Sequence, residues 1–200
     1  MLNTSTCSHV PDLFFHSYTV PIPKDKDNVH SKLTCNDFRG IAISPVIAKL
    51  FESCVLDIFG HYFATDDNQF GFKKGTGCSH AILAANKIIT SFSKGGSTAC
   101  VAALDVSKAF DTVNHHALFI KLMNRNLPVC LLRILEDWFS GATSCIKWEG
   151  SYSSQFRLQA GVRQGSVLAP ALFAVYINDL ISRCYMTGYG HVIVYADDIL

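Results

Sequence analysis

Two hundred residues, 49% of them hydrophobic and 16% charged, suffice for one substantial core and argue against a disordered chain. The net charge of +1, from 17 Lys and Arg against 16 Asp and Glu, is not that of a typical basic nucleic-acid-binding domain, although local clusters matter more than the sum. The longest apolar run, residues 167–177, has 11 residues, short of the roughly 18–20 that span a bilayer as a helix, so no membrane partner is expected. The first 15 residues lack the basic start and apolar stretch of a secretory signal. Eight cysteines, at 7, 35, 54, 78, 100, 130, 145 and 184, are dispersed with no CxxC pair. That pattern suits free thiols in a reducing, intracellular compartment, cytoplasm or nucleus.

Residues 1–17 show no period and read as an irregular N-terminal segment. YTVPIP (18–23) alternates but carries Pro21 and Pro23, which suits an edge strand. The polar stretch 24–37 reads as a loop or hairpin tip, and FRGIAI (38–43) as a second strand. Ser44 then Pro45 is a helix-start pair, a capping hydroxyl followed by proline at the first helical position. Behind it Val46, Ile47, Leu50, Phe51, Cys54, Val55, Ile58 and Phe59 recur at helical spacing as the expected inner stripe. Residues 65–78, with three glycines, read as a loop. Ser79 is placed to cap a helix with Ile82, Ala85, Ile88, Ile89 and Phe92 inside.

KGGS (94–97) ends that helix, and TACVAALDV (98–106) is the near-continuous apolar run of a strand buried on both faces. A short helix near 107–113 and two more over 115–125 and 128–140 follow. TSCIKWEG and SYSSQFRLQA flank a hairpin turn at Gly150-Ser151. The polar loop 161–166 precedes an apolar helix over 168–185, and Gly188 and Gly190 turn the chain into a last strand. Helices packed on a largely antiparallel sheet give an α+β class.

The last strand, HVIVYADDIL (191–200), ends a β-branched run on Asp197 and Asp198. Adjacent carboxylates at such a tip repel each other and lose hydration unless the tip is exposed or holds a cation. Asp105 ends the other apolar run in the same way. Taken singly, each also reads as a turn former or helix cap. With the two strands side by side, the carboxylates form a pocket of oxygen ligands suited to Mg²⁺, alone or as a pair of ions, and to phosphoryl transfer. Asp111, beyond the strand, reads better as a surface or helix-start acid. His115 and His116 point in different directions on a helix and read as solvated. Trp138 and Trp148 are both able to stack on bases, but Trp138 continues a core stripe.

ALDVSKAFDTVNH (103–115), GVRQGSVLAPALFAVYINDL (161–180) and VYADDIL (194–200) resemble the three central palm motifs of reverse transcriptases, specifically those of non-LTR, LINE-like retrotransposons. YTVPIPK, FRGIAISPVIAKLFE and QFGFKKGTGCSHAIL resemble that family's fingers segments in the same order, so the resemblance covers residues 18–200. It implies one reverse transcriptase domain of right-hand architecture. Fingers would occupy 18–97 and an incomplete palm, an antiparallel sheet packed with helices, 98–200, with the thumb absent. The implied activity is RNA-directed DNA polymerase, with RNA template, DNA primer and deoxynucleoside triphosphates as partners and two Mg²⁺ ions, or Mn²⁺, as cofactors.

Residue by residue, the resemblance implies Asp105, Asp197 and Asp198 as catalytic carboxylates that hold metal together with the Val106 carbonyl. Lys24 and Arg39 fall where the family contacts the incoming triphosphate, although Gly40 stands where proline often follows that arginine. Phe110 falls where a bulky side chain blocks a ribose 2′-hydroxyl. Gln164 and Gly165 match the loop against template and nucleotide. Arg163, Gly165 and Tyr195 are the implied template or primer contacts. With only Ile199 and Leu200 left for a returning strand, the acids are expected to be poorly anchored and the sheet edge unpaired. The isolated chain is then expected to aggregate and to show little polymerase activity. Two other readings stand beside this one: a noncatalytic descendant that keeps a nucleic-acid-binding or interaction surface, and another two-metal phosphoryl-transfer enzyme such as a nuclease.

Overall fold

The computed structural model describes residues 10–24, 34–187 and 190–200. The stretch up to residue 17 is not irregular throughout, because its aromatics find a core. A single helical turn, α1 (Asp12–Phe15), buries Phe14 edge-on against Phe51 and Trp138. It runs directly into strand β1 (His16–Pro23), and β2 (Phe38–Ile43) returns antiparallel, with Pro23 opposite Phe38 and Tyr18 opposite Ile43. Most of the connecting loop, 25–33, lies outside the described residues.

Helix α2 (Val46–Phe59) forms where expected but is turned about its axis. Pro45, not Ser44, is its N-cap, and the Ser44 hydroxyl is buried with no hydrogen-bond partner. Ala48, Glu52 and Val55 face inward, while Val46, Ile47, Leu50 and Ile58 are 49–83% exposed. The reason is Glu52, whose carboxylate is spent on backbone amides inside the protein, as described below. Helix α3 (Cys78–Lys94) starts at a Gly77 cap rather than at Ser79. Ile82 and Phe92 of its expected inner stripe are exposed, because only Ala81 is fully covered.

The apolar run at 98–106 is not a long buried strand. Only β3 (Leu104–Asp105) is extended, and Val101 and Leu104 are 55% and 62% exposed. Among the described residues it pairs along one edge, and with Leu104 and Asp105 both exposed it has no packed layer on its two faces, which burial of that kind requires. Residues 107–112 form turns instead of a helix, with Lys108 at φ 53. Helices α4 (His115–Asn124), capped by the Asn114 side chain, and α5 (Val129–Gly141) follow the expected periods. Strands β4 (Thr143–Trp148), β5 (Ser151–Tyr152) and β6 (Phe156–Arg157) precede helix α6 (Ala169–Thr187). The hairpin turn falls one residue earlier than expected, on Glu149 (φ 45) and Gly150 (φ 82). Two positive φ values are what a two-residue hairpin loop takes. Leu118, Leu122, Leu135, Leu172, Phe173 and Val175 fill the core between α4, α5 and α6.

The larger sheet has the order β2-β1-β4-β5, with β6 also on β4. One pairing is parallel, β4 on β1 with Thr19 opposite Ile146, so this sheet is mixed rather than antiparallel. The helices between those strands supply the long crossover that a parallel pair needs. The sheet therefore ties residues 16–43 to 143–157. The last strands, β7 (Val194–Tyr195) and β8 (Asp198–Ile199), make an antiparallel second sheet of order β3-β8-β7. The returning strand expected to be missing is thus formed by Asp198–Ile199. Reciprocal 2.9 Å backbone bonds between Ile193 and Leu200 lengthen the ladder. Gly188 lies outside the described residues. Among them, no helix is long and apolar enough to cross a membrane.

Candidate active site

The small sheet gathers the acids. β8 lies against β3 with Asp198 directly opposite Asp105. Asp197 sits in the turn before it, where the Val106 amide donates to the Asp197 carbonyl at 3.2 Å. Carboxylates opposite one another across a ladder repel, so this arrangement calls for positive charge nearby. Ala196, which opens the turn, has φ 58, a left-handed value that costs a non-glycine residue of the order of 1 kcal/mol. Neighbouring packing holds it there.

That packing comes from residues 68–71, whose role in this turn periodicity did not signal. The Phe70 amide donates to the Val194 carbonyl and the Val194 amide to the Asn68 carbonyl, each at 2.8 Å. Gln69 is fully buried and its side-chain oxygen accepts from the Gly71 amide at 3.0 Å. A Cβ on Gly71 would overlap the backbone nitrogen of Ala196. The glycine is therefore what lets the loop lie directly on the acidic turn.

Between the two sheets opens a cleft of about 980 Å³. Lys24, Arg39, Asp105, Val106, Phe110, Gln164 and Asp197 all line it, which brings together most of the residues singled out in the sequence. Phe110 is half-buried and held from two sides, stacked on Phe173 at 5.0 Å and edge-on to Phe72 at 5.8 Å. Lys108, Asp111 and Trp148 also line the cleft. Lys108 was missed because a lysine in a turn carries no signal beyond solubility. Basic groups and acids thus share a cleft in a chain whose net charge is close to zero.

Other candidates lie outside the cleft lining. Asp198 is exposed beside Asp105, and Tyr195 is half-buried in β7. Gly165 has φ 123, and a Cβ there would overlap the Ala42 carbonyl, so its close backbone approach is to β2. The same contact is fastened by the Ala42 amide donating to the Gln164 carbonyl at 2.7 Å. Arg163 is spent elsewhere: its guanidinium donates to the Phe14 and Phe15 carbonyls at 3.1 and 2.6 Å. Burial pushes its pKa down, opposed by the Glu52 carboxylate. Glu52, 2% exposed, accepts from the Val167 and Leu168 amides at the start of α6. Glu52 thus clamps the N-terminus of α6, at the end of the loop carrying Gln164 and Gly165. A glutamate amid an apolar period reads as solvent-facing, so nothing local marked it.

Among the described residues, no group of three or more His, Cys, Asp or Glu forms a closed metal site. The donor set in the cleft is an open one, the carboxylate of Asp105 in β3 and that of Asp197 in the turn between β7 and β8, with the backbone carbonyl of the adjacent Val106. All are hard oxygens, and Mg²⁺ commonly takes one or two carboxylates and completes its shell with water and substrate phosphates. The residues fit such an ion.

A family profile described as "Reverse transcriptase (RNA-dependent DNA polymerase)" matches residues 22–200. The chain belongs to the reverse transcriptase family. This reverse transcriptase chain is 29% identical over 172 residues to the probable RNA-directed DNA polymerase from transposon X-element of Drosophila melanogaster, covering 81% of the chain and 18% of that protein. It is 27% identical over 179 residues to the RNA-directed DNA polymerase from mobile element jockey of Drosophila funebris, covering 84% of the chain and 19% of that protein. The chain therefore spans less than a fifth of either relative. Its fold is similar to that of apo telomerase from Candida tropicalis truncated from its C-terminal domain, with TM-score 0.55 and 13% identity over 96% of this chain and 44% of that one. The resemblance to polymerases of non-LTR retrotransposons and the fingers-and-palm architecture both hold. The family generally uses divalent metal ions.

Proposed function

We propose that this reverse transcriptase domain adds deoxynucleotides to a primer 3′-OH on an RNA template, using Mg²⁺, with Mn²⁺ as a substitute. One observation carries the reading: Asp105 and Asp197 share a single cleft with Lys24, Arg39, Phe110 and Gln164. Asp105 and Asp197, with the Val106 carbonyl and Asp198 in support, hold the cations. Bound there, divalent ions supply charge neutralisation of the triphosphate and favour the alkoxide form of the primer hydroxyl. Lys24 and Arg39 bind the β- and γ-phosphates by charge. Gln164 lies against the nucleotide and template. Phe110, wedged between Phe72 and Phe173, cannot retreat from a ribose 2′-hydroxyl and so selects deoxyribose.

In the reaction the primer 3′-oxygen bonds to the α-phosphorus as the bond to pyrophosphate breaks, and the hydroxyl proton passes to solvent. Base pairing supplies the sequence information and the protein holds backbones. An intracellular location, in cytoplasm or nucleus, is in keeping with the free thiols of Cys35, Cys54, Cys78, Cys100, Cys130 and Cys145.

The test is RNA-templated primer extension with Mg²⁺ by the full-length protein and its Asp197→Asn variant. Loss of a ligand to the reacting ions is expected to slow extension by at least about a hundredfold. Equal extension by the variant would overturn the reading, and no extension by the unaltered protein would favour a noncatalytic binding role.

A further inference from the structure

The two tryptophans of the chain sit in opposite environments. Trp138 is 5% exposed and donates its indole N–H to the Phe14 carbonyl at 2.7 Å, whereas Trp148 is 47% exposed. Trp148 ends β4, and its ring meets Phe38 of β2 edge-to-face at 5.6 Å and 82°. In the sheet register Thr19, Pro21, Phe38, Gly40, Ile146 and Trp148 fall on one face. All six line the cleft that holds Asp105 and Asp197. The aromatic pair is thus part of the cleft wall formed by the larger sheet, with Lys24 and Arg39 on the same lining.

A large aromatic ring left half in water forgoes the burial that normally places it, and a T-shaped neighbour fixes its tilt in advance. Rings presented beside basic side chains are the means by which proteins hold unpaired bases without reading sequence. The geometry points to Trp148, backed by Phe38, as the stacking platform for an unpaired template base beside the catalytic cleft. This rests on the proposed polymerase reading and assigns the single-stranded part of the template a place on the β1-β2-β4 face. Lys108, on the same cleft lining, supplies the charge complementarity for the phosphates next to that base. Trp148 therefore contributes to holding template, not to the chemical step.

The test uses the intrinsic fluorescence of the full-length protein at an excitation that selects tryptophan. The unaltered protein is titrated with a primer–template duplex carrying a short unpaired RNA overhang, with the same duplex blunt, with an overhang of abasic residues, and with a deoxynucleoside triphosphate alone. The base-bearing overhang is expected to quench emission saturably, and the other three are not. The Trp148→Phe variant should lack that quenching yet bind the overhang close to normally. Trp148→Ala should bind it roughly tenfold more weakly while its affinity for the blunt duplex is unchanged. Equal quenching by the abasic overhang, quenching by the triphosphate alone, or overhang affinity unaltered in Trp148→Ala would each overturn the assignment. Because the readout is binding, loss of extension in Asp197→Asn leaves it intact, so failure of the polymerase reading and failure of the platform are distinguishable.

Discussion

Glu52 shows how one charged side chain can determine the pose of a helix. A carboxylate withdrawn from water costs several kcal/mol unless donors replace its hydration. Here the donors are the Val167 and Leu168 amides, at the end of a helix where the dipole also favours negative charge. Removing it in Glu52→Ala leaves those amides unpaired and Arg163 without its counter-charge. Urea denaturation is expected to show a loss of about 2–4 kcal/mol; a loss below about 0.5 kcal/mol, within the range of ordinary surface changes, would show that the clamp is not structural. Asp37 carries the opposite, exposed case. The Thr34 amide and hydroxyl bind its carboxylate and, with Lys24, hold its pKa below the usual value. A depressed folded-state pKa means that this contribution is present above the usual carboxylate pKa of about 4 and disappears as pH falls through the lowered value. Amide-exchange protection at the base of the β1–β2 hairpin should follow that acid limb in the unaltered protein and lose it in Asp37→Asn.

Among the elements, the acidic hairpin depends on its neighbour in space more than on its own sequence. The loop at 68–71 pairs with Val194 and lies against Ala196, so Gly71→Ala must push the turn bearing Asp197 out of place. Primer extension by Gly71→Ala is expected to fall at least about tenfold with the β3-β8-β7 acids chemically intact; unchanged activity would mean that the loop merely covers the hairpin. Helices α4, α5 and α6 were legible in the sequence because their apolar spacing matches a core they do enter. The orientation of α2 and the shortness of β3 were not. Both follow from tertiary context, a backbone clamp for Glu52 and uncovered sheet faces at Leu104, that no local pattern encodes. Asp105 and Asp197 stood out because acids closing apolar runs need an explanation. Lys108, Gln69 and Gly71 did not, since turn residues of those types are ordinary.

For the molecule as a whole, the parallel join of β4 to β1 is what gives the cleft its second wall. It carries Ile146 and Trp148 from the second half of the chain to the face that bears Thr19 and Phe38. A net charge of +1 hides the outcome, a cleft with Lys24, Arg39 and Lys108 set against Asp105, Asp111 and Asp197. Phosphate neutralisation by such lysines should make primer–template affinity fall with salt. Lys108→Ala, which removes the charge that neutralises a single phosphate, should lower the slope of log affinity against log salt by about one. A slope identical to that of the unaltered protein would place Lys108 away from the backbone.

Asp105, in β3, and Asp197, in the turn between β7 and β8, are proposed to hold a divalent ion together with the substrate triphosphate. Mn²⁺ binding followed by electron paramagnetic resonance, in the full-length protein with a dideoxy-terminated primer, RNA template and matched triphosphate, measures this directly. Asp105→Asn and Asp197→Asn are each expected to weaken the protein-bound Mn²⁺ signal by at least about tenfold, whereas Asp111→Asn, in the same cleft but off the sheet, leaves it unchanged. Loss of the signal with Asp111→Asn and its survival in the other two variants would contradict it.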